Sequence, residues 1–196
     1  MLIVIEGSDK AGKATQTQLL KEDLEKKSVS VATLAFPVYT TKIGEEVRAF
    51  LHGETDYPVQ VRHMLLSANR WEKKVEIEKM LEENKVVILN RYYQSNLVYG
   101  IASGLKTEWL MALDEGLPKE DIVIVLDVAA EVSIQRMANK GDIFEMSDDI
   151  MNNVSALYRE LAGRYGWILV NGDRSREDVH KEIMRIFEDR MNKQKR

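Results

Sequence analysis

Seven residues near the start of the chain set the terms for the rest: Gly7-Ser8-Asp9-Lys10-Ala11-Gly12-Lys13. The apolar run Leu2-Ile3-Val4-Ile5-Glu6 leads into them, and the helix-forming segment Ala14-Thr15-Gln16-Thr17-Gln18-Leu19-Leu20 follows at once. A strand that ends in Gly-x4-Gly-Lys and turns straight into a helix has the form of a phosphate cradle. Its glycines let backbone N–H groups turn inward around phosphate oxygens, and the helix N-terminus adds partial positive charge. Lys13 reaches the terminal phosphates as a point charge. A plain glycine turn beside a lysine is the bland alternative; the flanking strand and helix favour the cradle. The full motif has Ser or Thr after the lysine to ligate magnesium, whereas Ala14 stands there in this chain.

The remaining pattern is an alternation. Strands are expected at 29–36, 85–89, 122–126 and 167–170, and helices at 12–27, 41–51, 59–83, 93–104, 108–115, 131–140, 147–164 and 176–191. Within 59–83 the inward stripe reads Val61, Leu65, Ala68, Val75 and Leu81. Five short apolar strands alternating with helices imply an α/β fold, a five-stranded parallel sheet covered on both faces. Ligands in such sheets sit beyond the strands' C-terminal ends. Three polar clusters fall there: the glycine loop, Phe36-Pro37 and Asn90-Arg91-Tyr92. A single domain spanning 1–196 is expected, with a short lid at about 139–147.

Composition removes several classes. A net charge of −4 does not advertise nucleic-acid binding, and without cysteine there is no disulfide framework or thiolate metal site. No apolar stretch approaches the roughly 20 residues that span a bilayer, and no leader precedes the first strand, so a cytoplasmic protein without membrane contact is expected. His52, His63 and His180 lack metal-ligand spacing and are expected at the surface.

Several segments in order carry a resemblance: Glu6-Gly7-x-Asp9-Lys10-x-Gly12-Lys13; Phe36-Pro37 with Thr41 and Gly44; Ser67-Ala68-Asn69-Arg70-Trp71-Glu72; Arg91-Tyr92; and Gly116-Leu117-Pro118 with Asp121. Together the chain resembles the thymidylate kinase family over nearly its whole length. The resemblance implies a P-loop NTPase fold, transfer of the γ-phosphoryl group of ATP to dTMP with Mg2+ in dTTP biosynthesis, and a homodimer. It implies ATP binding by Gly7, Ser8, Asp9, Lys10, Ala11, Gly12, Lys13, Ala14, Thr15 and Arg136. Acceptor binding falls to Asp9, Phe36, Pro37, Tyr39, Leu66, Arg70, Arg91, Asn96 and Tyr99, and catalysis to Lys13, Arg91, Lys10 and Asp9. Within that scheme Arg91 forks on the acceptor phosphate, and Asp9 accepts from the sugar 3′-hydroxyl. Arg70 donates to a base carbonyl, Asn96 pairs with the N3–O4 edge, and Tyr99 lies under the deoxyribose. Lys10 supplies the extra cation that other members carry in the lid. Ordinary alternatives stand beside these roles: a solvated helix face for Arg70, Arg136 and Lys140, and a cap or core anchor for Asn96 and Tyr99. Trp71 reads as packing.

Four cleft positions depart from the family pattern. Ala14 lacks the metal-ligating hydroxyl, Asn90 replaces an aspartate, Tyr39 an arginine and Leu66 a phenylalanine. No protein metal ligand is expected, and Mg2+ would be held by ATP phosphates and water. Two other functions remain open: a pyrimidine monophosphate kinase with a relaxed acceptor such as dUMP, and a catalytically weak nucleotide-binding homologue.

Overall fold

The computed structural model describes residues 1–129, 132 and 148–194. In chain order the elements are β1 (Leu2–Gly7), α1 (Lys13–Lys26), β2 (Val31–Ala35), α2 (Lys42–Leu51), α3 (Val59–Trp71), α4 (Lys74–Glu83) and β3 (Val86–Asn90). Then come α5 (Tyr93–Ala102), α6 (Thr107–Leu113), β4 (Ile122–Asp127), α7 (Asp148–Tyr165), β5 (Ile168–Asn171) and α8 (Arg176–Gln194). The expected lid, with Arg136 and Lys140, lies outside the described residues.

All strand pairs are parallel, in the order β2-β3-β1-β4-β5. This is the expected five-stranded sheet, and side-chain alternation explains how its apolar runs serve two cores. Leu2, Val4, Val87, Leu89, Val123 and Val125 face one side, where Ile77, Leu97, Val154 and Leu161 from α4, α5 and α7 cover them. Ile3, Ile5, Val86, Ile88, Ile122 and Ile124 face the other, against Leu20 and Leu24 of α1 and Val179, Ile183 and Phe187 of α8. β1 lies between β3 and β4 with every residue buried, so nothing but apolar side chains is tolerated along it until Glu6. The edge strand β2, by contrast, is half-exposed.

Because the strands are parallel, their C-terminal ends share one rim. The glycine loop, Phe36-Pro37, with its peptide bond cis, and Asn90-Arg91 all follow strands there. A cavity of about 330 Å³ bounded by Asp121, Tyr165, Trp167 and Arg190 opens at the start of β4 and β5. It is therefore at the opposite rim from the glycine loop.

Two expectations need correction. The helix over 59–83 breaks into α3 and α4 at Glu72-Lys73, where Lys73 adopts φ −101° and ψ 0°. Side chains just before the break are engaged off the helix: Asn69 with Val38, Arg70 with Asp114, and Trp71 Nε1 with the Leu113 carbonyl at 2.7 Å. The turn shifts the inward stripe to Ile77 and leaves Val75 75% exposed. His63 is also not at the surface; it is buried on α3, and its Nδ1 lies 2.6 Å from Asn96 Oδ1.

Thr41 caps α2, its hydroxyl accepting from the Gly44 N–H at 3.0 Å. That cap holds Gly44 so tightly under the preceding loop that an added Cβ would sit 1.9 Å from the Val38 carbonyl oxygen. Gly44→Ala is expected to lower unfolding free energy by about 1–3 kcal/mol, the usual cost of overpacking a closed site, as read from urea denaturation.

Candidate active site

The cradle is built from backbone first. Gly7 takes φ +139° and backs onto β4 so closely that a Cβ would lie 2.7 Å from the Leu126 carbonyl oxygen. Lys13 opens α1 but folds back, donating from Nζ to the carbonyls of Gly7 at 3.1 Å and Ser8 at 2.6 Å. Burial lowers its pKa to about 7, and Arg91 and Lys10 push the same way against Asp9 and Glu6.

Arg91 comes in from the end of β3, held in a left-handed backbone conformation at φ +66°. Its Nη2 donates to Asp9 Oδ1 in the glycine loop, and its Nη1 donates to Ser95 Oγ at 2.9 Å. The guanidinium also lies 5.7 Å from the centre of the Tyr99 ring. Burial alone would raise the Asp9 carboxyl, but Arg91, Lys13 and Lys10 outweigh it and hold it below the usual carboxylate range. Burial and the nearby charges of Arg91 and Asp9 act on Tyr39, which places its phenol by the same pair. The structure thus brings Asp9, Lys10, Lys13, Arg91, Tyr39 and Tyr99 into one charged cleft.

Other candidates sit deeper or apart. Phe36 is buried with its ring 5.9 Å from that of Tyr92, and Leu66 is half-buried on α3. Ala14 and Thr15 are exposed on the first turn of α1. Arg70 is not on a solvated helix face: its Nε and Nη2 grip Asp114 at 3.0 and 2.7 Å, with both side chains 4% exposed or less. Asn96 Oδ1 accepts from His63 Nδ1 at 2.6 Å, and its Nδ2 lies 3.4 Å from the His63 carbonyl oxygen.

The segment around Arg70 has a second use that its sequence did not announce. Ser67 Oγ bonds Asp114 and the Leu113 carbonyl, while Asn69 clasps both the N–H and the carbonyl of Val38. Glu72 accepts from Asn69 at 2.7 Å and from the Thr41 hydroxyl. This stretch of α3 therefore fastens the loop after β2 to the turn after α6, on either side of Leu66 and Arg70.

Sequence reasoning assigned no role to Glu6, Ser95, Tyr158 or Asp114. Glu6 is fully buried beneath the cleft and takes four donors: the N–H groups of Tyr92 at 2.8 Å and Ser95 at 3.1 Å, and the hydroxyls of Ser95 at 2.6 Å and Tyr158 at 2.9 Å. The one available signal was a carboxylate ending an otherwise apolar buried strand.

Removing one partner of the buried ion pair leaves the other uncompensated. Asp114→Ala is expected to reduce stability by about 3–5 kcal/mol, and Asp114→Leu combined with Arg70→Met to recover most of that loss. Chemical denaturation of the three proteins checks this.

Comparison with known proteins follows the same outline. A family model described as thymidylate kinase matches residues 5–183. The thymidylate kinase of Caenorhabditis elegans is 34% identical over 197 residues, covering 96% of this chain and 90% of its own length. That of Homo sapiens is 30% identical over 192 residues, with 96% and 90% covered. The solved structure of thymidylate kinase from Candida albicans, described as revealing the origin of broad substrate specificity, matches with a TM-score of 0.84 at 27% identity. It covers 97% of this chain and 92% of that one. The cradle, the arginine facing it and the clamp on α3 thus occur in a chain that belongs to the thymidylate kinase family, nucleoside-monophosphate kinases that phosphorylate dTMP with ATP.

Proposed function

We propose that this chain transfers the γ-phosphoryl group of ATP directly to dTMP. A 5′-phosphate oxygen of dTMP attacks the γ-phosphorus in line, the bond to the β-bridging oxygen breaks, and ADP leaves with that electron pair. The reading rests above all on one observation: Arg91, at the end of β3, reaches Asp9 in the glycine loop and lies close enough to Lys13 to depress its pKa. Two cations from different strand ends therefore address one point between two phosphorylated ligands. Phosphoryl transfer asks for such positioning and charge neutralisation more than for covalent groups.

In this reading Lys13 leaves the Gly7 and Ser8 carbonyls for the ATP phosphates, and Lys10 adds charge from the same loop. Arg91 forks on the acceptor phosphate. Asp9 first orients Arg91 and then accepts from the sugar 3′-hydroxyl. Arg70, fixed by Asp114, keeps Nη1 outside that pair for a base carbonyl, Asn96, held by His63, is assigned the N3–O4 edge, and Tyr99 closes the sugar side under Arg91. Phe36, Pro37, Tyr39 and Leu66 complete the acceptor wall.

The donor set does not fit a protein-held magnesium site. Among the described residues no three His, Asp or Glu side chains gather as ligands. Ala14 has no hydroxyl, Glu6 is saturated by donors, and Asp9 holds Arg91. Magnesium is proposed to arrive on ATP oxygens and water.

A homodimer is also proposed. Met64, Trp71, Val75 and Met111 leave apolar surface exposed on α3, α6 and the start of α4, which suits an isologous contact. No described helix is long and apolar enough to cross a membrane; a cytoplasmic place in dTTP synthesis is part of the same proposal. A relaxed acceptor is the second reading, favoured by Leu66, which offers the base an aliphatic surface without a ring.

Coupled ADP release with dTMP, dUMP, dCMP, dGMP and UMP tests the assignment. The expected result is the highest kcat/KM with dTMP. A higher value with dUMP would establish the drifted acceptor, and ATP binding without ADP release would establish a weak binding homologue.

The Lys13 shift gives a pH signature. Its folded pKa of about 7 lies below its ordinary value of 10.5, so the unfolded state binds more protons between them. Stability contributed by this group therefore rises as pH climbs from about 7 towards 10. ATP phosphates restore the charged form, so binding at pH 8 is expected to take up on the order of one proton, and at pH 6 almost none. Calorimetry in buffers of different ionisation enthalpy measures the uptake.

A further inference from the structure

We infer that Tyr158 is a positioning residue for the acceptor-phosphate arginine, acting through Glu6 and Ser95; the inference rests on the reading of Arg91 given above. Tyr158 lies on α7, 2% exposed, and touches neither the glycine loop nor Arg91 through a hydrogen bond. Its hydroxyl donates to Glu6 Oε2 at 2.9 Å and sits 3.3 Å from Ser95 Oγ. Ser95 has one hydroxyl proton, and the 2.6 Å bond to the same Oε2 takes it. With that proton committed, the Ser95 oxygen can only accept, and it accepts from Arg91 Nη1 at 2.9 Å. The direction of each bond thus follows from the one before it, and the sequence ends on the guanidinium.

The geometry distinguishes this hydroxyl from ordinary core packing. Glu6 Oε1 is already satisfied by two backbone N–H groups, which fix α5 to β1 regardless of Tyr158. Among the described residues, Oε2 has only the two hydroxyls as hydrogen-bond donors, with Arg91 Nη1 at 4.0 Å. Without the phenol, Oε2 is a buried carboxylate oxygen one donor short, and the nearest mobile donor is Arg91 itself. The guanidinium is then drawn down towards Glu6 and away from the cleft. The neighbouring residue points elsewhere: Arg159 Nε bonds both oxygens of Asp127 at 2.9 Å at the end of β4. The position on the helix, not the helix as a whole, reaches the arginine.

Tyr158→Phe keeps the ring and removes only the donor. A displacement of the guanidinium by under an ångström is enough to cost on the order of ten- to a hundredfold in a positioned reaction. Steady-state kinetics of the full chain, with ATP and dTMP varied separately, are therefore expected to show kcat/KM for dTMP falling at least tenfold while KM for ATP stays near wild type. Ser95→Ala is expected to act in the same direction, and the double variant to be no worse than Ser95→Ala alone, because both lie on one path. Arg159→Ala, which disturbs α7 without touching this path, is expected to leave the dTMP KM unchanged. A readout independent of catalysis completes the test: the Arg91 side-chain NMR resonance in the ligand-free protein, assigned with Arg91→Lys, is expected to shift in Tyr158→Phe. An unmoved resonance, or equal loss for both substrates, overturns the inference. If the wild type releases no ADP with dTMP, the assignment of Arg91 fails, and the resonance still decides whether Tyr158 orients it.

Discussion

A single carboxylate with no contact to water organises this molecule around it. Glu6 ends the central strand, and burying its charge without donors would cost several kcal/mol. The chain answers with the start of α5 and the middle of α7, each supplying hydrogen bonds that only this docking provides. The apolar cores on the two sheet faces give the bulk of the stability, yet they would accept small slides of these helices. The four directional bonds on Glu6 would not. Placement of α5 against β1 is what carries Arg91, at the start of that connection, to the lip of the glycine loop.

A second fastening lies on the acceptor side. Ser67, Asn69, Arg70, Trp71 and Glu72 occupy one short stretch of α3, and each finds a partner on another segment. Their combined pull ends the helix after Trp71 and turns the chain into α4. Specificity and rigidity are thus joined in one segment: the arginine proposed to read the base is also half of a buried ion pair that locks the turn before β4. A substitution there cannot separate recognition from folding without a matching change at Asp114.

What the sequence displayed and what it concealed divide along a physical line. Leu2 to Ile5, Val86 to Leu89 and Ile122 to Leu126 were legible because strands buried on both faces must be continuously apolar, and the glycine loop because phosphate binding fixes its spacing. The break at Glu72-Lys73 was not, since helical periodicity through Val75 and Leu81 continues unbroken in the letters. His63, the Arg70–Asp114 pair and the Glu6–Tyr158 bond were hidden for another reason. They join positions 33, 44 and 152 residues apart, and no local period records such partnerships. The cleft residues Asp9, Lys13 and Arg91 could be named in advance, but not that Asp9 and Arg91 hold each other.

Lys13 rests on the carbonyls of Gly7 and Ser8, so the glycine loop is tied shut by the same amino group that is proposed to meet the phosphates. The loop is therefore a closed ring of backbone and side chain. This changes what a lysine knock-out means in this protein. Replacing Lys13 by an uncharged residue, the usual choice for an inactive control, also unties the ring and frees two carbonyls beside the end of β1. Such a control would differ from the native protein before any nucleotide is added, and a binding deficit measured with it would mix lost attraction with lost shape.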